Sequence, residues 1–167
     1  MPSSPPLIVV MGVSGAGKST IAALLAQRLD VPFVDADDLH PLTNVDKMAA
    51  GVPLTDDDRW PWLATVGDAL AAASATGLVI ACSALRLAYR DAIRDRAPEA
   101  RFVLLHGSRE LLLGRLAQRE GHFMPASLLD TQLATLEPLA EAEAGVVVDV
   151  DAEPEMIVET ITGRLIH

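Results

Sequence analysis

Gly12-Val13-Ser14-Gly15-Ala16-Gly17-Lys18-Ser19 matches G-x-x-x-x-G-K-[ST] in full. Glycines at these places let backbone N–H groups turn inward around phosphate oxygens. A helix that starts where the loop ends adds the partial positive charge of its N-terminus. Lys18 then reaches β- and γ-phosphates, and the Ser19 hydroxyl ligates Mg²⁺. Gly12, Ser14, Gly15, Ala16, Gly17, Lys18, Ser19 and Thr20 are therefore candidate contacts for a nucleoside triphosphate and its metal ion. The flanks are the ones a P-loop needs. Leu7–Met11 is a short apolar run suited to a buried strand, and Ile21–Ala26 has helical composition. The motif alone does not choose among kinase, GTPase, motor ATPase and switch.

Asp35-Ala36-Asp37-Asp38-Leu39-His40 is the second cluster. Asp35 ends a strand beside the P-loop strand, where a metal would sit. Asp37 follows two residues on, and a carboxylate there can orient an attacking hydroxyl and accept its proton. The same acids would also suit a helix cap or a solvated turn, and the P-loop is what favours the site. The run Leu78–Cys82 leads into Ser83, where many P-loop proteins carry an acid. The metal-facing carboxylate must then come from elsewhere, with Asp35 the obvious source, which weakens a motor-ATPase reading. Cys82 reads as a small buried hydrophobe.

Arg59 follows Asp56-Asp57-Asp58 and has two readings, a surface ion pair or a planar fork that grips a carboxylate or phosphate. Trp60 and Trp62 read as packing anchors. Arg115 and Arg119 lie four apart on one helical face, just before Gly121-His122-Phe123-Met124-Pro125. That spacing suits a lid that closes over phosphates, and equally a solvated basic face. His40, His106, His122 and His167 lack a metal-ligand spacing.

These residues need elements to position them. Strands are expected at Leu7–Met11, Val31–Asp35, Leu78–Cys82, Arg101–Leu105 and Val146–Asp149. Helices are expected after the P-loop, around Asn44–Ala50, from the Asp56–Asp58 triplet to Ser74, at Leu85–Arg96, from a Ser108 cap to about Glu120, at Ala126–Leu136, and from Pro154 to Leu165. Apolar strands alternating with helices imply a parallel sheet covered on both faces. Ligands of such sheets sit at the carboxyl ends of the strands. Ser14, Asp35, Asp37, Ser83 and Asp149 then share one rim.

At 167 residues the chain suits a single domain, and half of its residues are hydrophobic. The formal net charge of −10 argues against non-specific nucleic-acid binding and against an anionic membrane surface. Cys82 is the only cysteine, so no internal disulfide forms and a reducing compartment fits. Met1–Pro6 reads as a poorly ordered lead-in without a basic n-region, and the apolar run after it is too short for a signal peptide or a membrane span. A cytoplasmic location is expected.

Taken together, the motifs resemble one family. The P-loop is followed by Asp35-Ala36-Asp37-Asp38-Leu39-His40-Pro41, Asn44, Lys47-Met48, Gly51 and Pro53-Leu54. Then come Asp56-Asp57-Asp58-Arg59 with Pro61-Trp62-Leu63, Cys82-Ser83-Ala84-Leu85, Tyr89-Arg90-Asp91, Arg115, Arg119, Gly121-His122-Phe123-Met124, Gln132 and Leu136-Glu137. This order strongly resembles the small P-loop gluconokinases from about Ile8 to Asp151. The His-Pro and Asp-Asp-Asp-Arg-x-Pro-Trp-Leu elements are more specific than the P-loop.

The resemblance implies a nucleoside-monophosphate-kinase-like α/β fold with strand order 2-3-1-4-5, one kinase domain over 1–167, and a mobile lid around 115–135. It implies Mg·ATP as donor, D-gluconate as acceptor and a cytoplasmic homodimer. By similarity Lys18, Asp37 and Arg119 are catalytic, with Asp37 on the acceptor hydroxyl and Arg59 on the gluconate carboxylate. His40 and Lys47 would lie along the polyol. Ser83, Arg86, His122 and Gln132 are carried over as further acceptor contacts, Arg115 and Arg119 as lid contacts to ATP, and Ser19 with Asp35 as the metal site. Many relatives read Asp-Gly-Asp where this chain has Asp35-Ala36-Asp37, and Ser-Gln where it has Thr131-Gln132. Neither change removes a charged or donor group. The rivals are a kinase of another small polyol acid such as shikimate, and a nucleotide-binding switch. The loop at Asp151–Pro154 is the expected adenine neighbour.

Overall fold

The computed structural model describes residues 5–118 and 126–165. Five strands form one sheet: β1 (Leu7–Met11), β2 (Phe33–Asp35), β3 (Leu78–Ala81), β4 (Arg101–His106) and β5 (Gly145–Asp149). Their order is β2-β3-β1-β4-β5, and every neighbouring pair is parallel. Expected strand positions hold to within two residues at each end. The largest change is β2, which starts at Phe33 and omits Val31 and Pro32; it was expected beside the P-loop strand, but β3 lies between it and β1.

β1 is buried along its whole length because helices cover both faces. Successive side chains of a strand point to opposite sides. Ile8 and Val10 therefore enter one core with Ile21, Leu25, Leu112, Ile157 and Ile161. Leu7, Val9 and Met11 enter the other with Leu63, Leu70, Ile93 and Phe102. The first core is closed by α1 (Lys18–Leu29), α5 (Arg109–Ala117) and α7 (Pro154–Leu165), the second by α3 (Asp56–Ala72) and α4 (Leu87–Arg96). α3 and α4 cross closely at Gly67, where a Cβ would come within 2.6 Å of the Arg96 Cβ.

Two further helices, α2 (Leu42–Ala49) and α6 (Ala126–Thr135), flank the carboxyl ends of the strands, and a 3-10 turn at Ala36–Leu39 follows β2. A cap or turn was the alternative reading of these acids. Asp35 creates the turn by capping its N-terminus, its carboxylate accepting from the Asp37 amide. α3 is capped one residue earlier than the acidic triplet suggested. Thr55 is the N-cap, and Asp58 closes a reciprocal capping box with it. Ser108 caps α5, as expected.

A buried ion network fixes the loop after β3. Arg90 is fully buried and donates to both carboxylate oxygens of Glu143, at 2.7 and 3.1 Å. It also donates to the carbonyls of Ala84 and Leu85 on one side and Glu137 and Pro138 on the other. Ala84 lies in the left-handed region at φ 44°, and its carbonyl is one of those held. Burial pushes the Glu143 carboxyl up. Hydrogen bonds from Arg90, the Ala140 amide and Arg94 outweigh it and hold the group down at about 2.

Candidate active site

The P-loop joins β1 to α1 at the carboxyl edge of the sheet. Gly12, Gly15 and Gly17 all have positive φ, at 147°, 87° and 88°. Gly17 is the N-cap of α1, so the amides of its first turn remain available for an anion. At Gly15 a Cβ would stand 3.0 Å from the Leu112 carbonyl oxygen, because α5 packs directly on the loop. Lys18 Nζ donates to the Val13 carbonyl at 3.1 Å, folding back over the loop. Ala16 is buried beneath it, while Ser19 and Thr20 are exposed on the first turn of α1.

Asp35 joins the loop to the next element. One carboxylate oxygen accepts from the Ser19 hydroxyl at 2.8 Å and the other from the Asp37 amide at 3.0 Å. A hydroxyl and a carboxylate in contact at a phosphate loop form a hard oxygen donor set. This fits Mg²⁺, which takes few protein ligands and completes its shell with water and phosphate. Asp37 lies beside this pair. The residue as a whole is exposed, yet its carboxyl is crowded enough that burial, then the Asp35 charge, raise its pKa; Asp38 adds to this, and His40 and Lys18 oppose it. Asp37 is thus electrostatically coupled both to Lys18 and to His40.

Beyond Asp37 stands a wall of side chains from the 3-10 turn, α2, α3 and α4. His40 stacks on Trp62, ring centroids 4.1 Å apart and planes 16° apart. The Trp62 indole N–H donates to the Ala36 carbonyl at 2.7 Å, pinning α3 to the turn. Burial, followed by the Arg59 cation, lowers the His40 pKa against the opposing charge of Asp37. Arg59 donates to Asp56 and to the Tyr89 hydroxyl, both at 3.4 Å, with its guanidinium over the Tyr89 ring. The Tyr89 hydroxyl in turn donates to Asp56 at 2.6 Å. Arg59 therefore makes the ion pair of the first sequence reading and stands in this wall. Lys47 is held by both carboxylate oxygens of Asp58, at 2.9 and 2.8 Å.

Other candidate residues lie on the opposite side. Gln132, on α6, accepts with its Oε1 from the Ser14 amide at 2.7 Å, a contact with the P-loop itself. Arg115, on α5, donates to the Val150 carbonyl and ties that helix to the loop after β5. Ser83 accepts from the Gly12 amide through its carbonyl, which sets the β3–α4 loop against the P-loop. Arg86 is the exposed N-cap residue of α4. Arg119 and His122 lie outside the described residues, as do the Gly121–Pro125 break and the first residues of the lead-in. Cys82 is buried, and burial pushes its thiol up to about 12, which leaves no thiolate for nucleophilic chemistry.

The structure adds Asn44, Asp56 and Tyr89 to the wall. Asn44 is almost fully buried, four residues after His40. That i, i+4 spacing of two polar residues on the way into a helix was the available signal. Asp56 and Tyr89 meet across 33 residues, for which the sequence holds no local signal.

The sheet order, the P-loop at its centre and the crevice at the strand ends define a P-loop kinase of the nucleoside-monophosphate-kinase type. Residues 14–165 match the shikimate kinase family. A crystal structure of a gluconokinase from Sinorhizobium meliloti superimposes with a TM-score of 0.88 at 49% identity, over 97% of this chain and 92% of that one. The gluconokinase of Gluconobacter oxydans is 46% identical over 94% of this chain and 89% of its own length. A probable gluconokinase of Xenopus tropicalis is 43% identical over 95% and 93%. The chain belongs to the gluconokinases within the shikimate kinase family.

Proposed function

We propose that this chain transfers the γ-phosphoryl group of Mg·ATP to the 6-hydroxyl of D-gluconate, giving 6-phospho-D-gluconate and ADP. The observation that carries this reading is the placement of Asp37 between two chemically distinct walls. One is a phosphate loop with Lys18, and the other presents His40 and Arg59. The attacking hydroxyl loses its proton toward Asp37 as its oxygen bonds to the γ-phosphorus and the bond to the bridging oxygen of ADP breaks. Such a transfer depends on positioning and charge more than on covalent catalysis. Lys18, with the first-turn amides of α1, neutralises the phosphates. Arg59 suits the carboxylate at the far end of gluconate, with a guanidinium fork that matches a carboxylate.

Ser19 and Asp35 would hold the metal, which when bound would supply charge neutralisation for the phosphates. Gln132, expected among the acceptor contacts, accepts from the Ser14 amide of the P-loop and so moves to the ATP side of this reading, beside Arg115 and with Arg119 as a further phosphate contact. Ser83, Arg86 and His122 remain acceptor-side candidates, as does Lys47. A cytoplasmic homodimer is part of the same proposal. A lone buried cysteine suits a reducing compartment, and no helix among the described residues is long and apolar enough to cross a membrane. Light scattering on a sizing column tests the dimer.

The decisive experiment is ADP release from Mg·ATP with D-gluconate, with shikimate and without acceptor. Turnover that depends on gluconate is expected. Turnover only with shikimate would replace the acceptor, and release indifferent to acceptor would remove the kinase reading.

A further inference from the structure

Asn44 is a polar side chain only 1% exposed, and its amide nitrogen has two partners. It stands 3.1 Å from His40 Nδ1 and donates to the Asp58 carbonyl at 2.9 Å. The carbonyl accepts only, so the amide cannot be turned over without setting oxygen against oxygen. With the nitrogen so oriented, His40 Nδ1 faces an N–H donor and must accept. A neutral imidazole with an accepting Nδ1 carries its proton on Nε2. An imidazolium would put N–H against N–H.

We propose that Asn44, with Trp62, locks His40 as the neutral Nε2–H tautomer, making it a fixed hydrogen-bond donor to an acceptor hydroxyl oxygen and barring it from acting as the base. Trp62 contributes the plane. Its indole is tied to Ala36 and lies flat against the imidazole, which favours one ring plane. The charged groups around His40 agree. Arg59 from α3 opposes a second proton on the ring, and Asp37 from the 3-10 turn favours one, with burial and Arg59 outweighing it. Asp58 faces the assembly through its carbonyl, while its carboxylate is engaged by Lys47.

The consequence is a division of labour that rests on the proposed gluconate kinase activity. Asp37 accepts hydrogen bonds and His40 donates one, so neighbouring hydroxyls of a polyol are held with opposite polarity. Asn44 touches no reacting atom and is a positioning residue.

Long-range proton–nitrogen spectra of the ¹⁵N-labelled full chain at neutral pH test this directly. The His40 signals are assigned by their loss in His40→Gln. A protonated Nε2 and a bare Nδ1 are expected, and an Nδ1–H tautomer or a doubly protonated ring would overturn the proposal. Asn44→Asp replaces the donor by an acceptor and should draw the proton to Nδ1, raising the gluconate KM roughly tenfold with the ATP KM unchanged. An unaltered tautomer or gluconate KM in the folded variant would overturn it. If that variant does not fold, the wild-type spectrum still decides. In a chain that turns over gluconate, adding gluconate should shift the His40 Nε2 signal, and no shift would overturn the substrate-facing half. A chain with no gluconate turnover would instead sink the assigned reaction, leaving the tautomer result standing.

Discussion

Gly12–Thr20 and the wall of His40, Asn44, Asp58, Arg59 and Trp62 meet at Asp35 and Asp37, yet they are built by different means. The proposed phosphate end uses backbone. Three glycines at positive φ and one helix start shape it, and nearly all its parts are consecutive in the chain. The proposed acceptor end uses side chains from the 3-10 turn, α2 and α3, held by a stacked ring pair, a buried amide and the capping box of α3. Backbone amides suit phosphate because every nucleotide presents the same phosphates. A polyol acid differs from its analogues only in where donors and acceptors lie, so it takes placed side chains to read it.

The contrast can be broken from either end. The largest effect is expected at the junction: Asp37→Asn should lower kcat on the order of 10³-fold with the ATP KM intact, and near-normal turnover in steady-state assays would remove Asp37 from its role. Next comes the network behind the β3–α4 loop. Glu143→Gln leaves Arg90 charged and buried and should cost about 3 kcal/mol in urea unfolding at neutral pH. The sign of the pH dependence follows from a carboxyl held below its unfolded value. Its contribution is complete above about 4.5 and is lost as pH falls toward about 2. Glu143→Gln should therefore close its stability gap to the wild type across that window, and a gap that persists at low pH would contradict the assignment.

Arg59→Ala tests the acceptor end alone. The gluconate KM should rise roughly 10- to 100-fold, the worth of a hydrogen bond to a charged group, while the ATP KM stays put. Equal changes in both constants would mean that Arg59 shapes the fold and not the site. Gly15→Ala gives the mirror image with a smaller effect. A side chain at φ 87°, 3.0 Å from the Leu112 carbonyl, strains the loop by about 1–2 kcal/mol, and the ATP KM should rise roughly tenfold with the gluconate KM unchanged.

The contrast also explains what could be read in advance. The strands were legible because a doubly covered parallel strand needs an unbroken apolar run, as at Leu7–Met11 and Leu78–Ala81. Ser108 was legible as a cap because N-capping is a local bond. The Thr55 cap was missed because three aspartates after it offered an equally good local signal. The 3-10 turn was only half legible: the acids after β2 suited a cap or turn as well as a site, and Asp35 serves the turn through the Asp37 amide.

By itself the sequence determined the P-loop, the alternation of strands and helices, and the order of motifs that marks the family. These depend on neighbours in the chain, where spacing fixes geometry. Only the tertiary structure decided that Gln132 meets the Ser14 amide, that Tyr89 joins Asp56 and Arg59, that Arg90 grips Glu143, and that the Asn44 amide nitrogen faces Nδ1 of His40. Each of these depends on donor and acceptor atoms brought into register by packed helices. Apart from the His40–Asn44 pair, they join residues separated by about 30 to 118 positions, whose distances are set by the cores on both sides of the sheet.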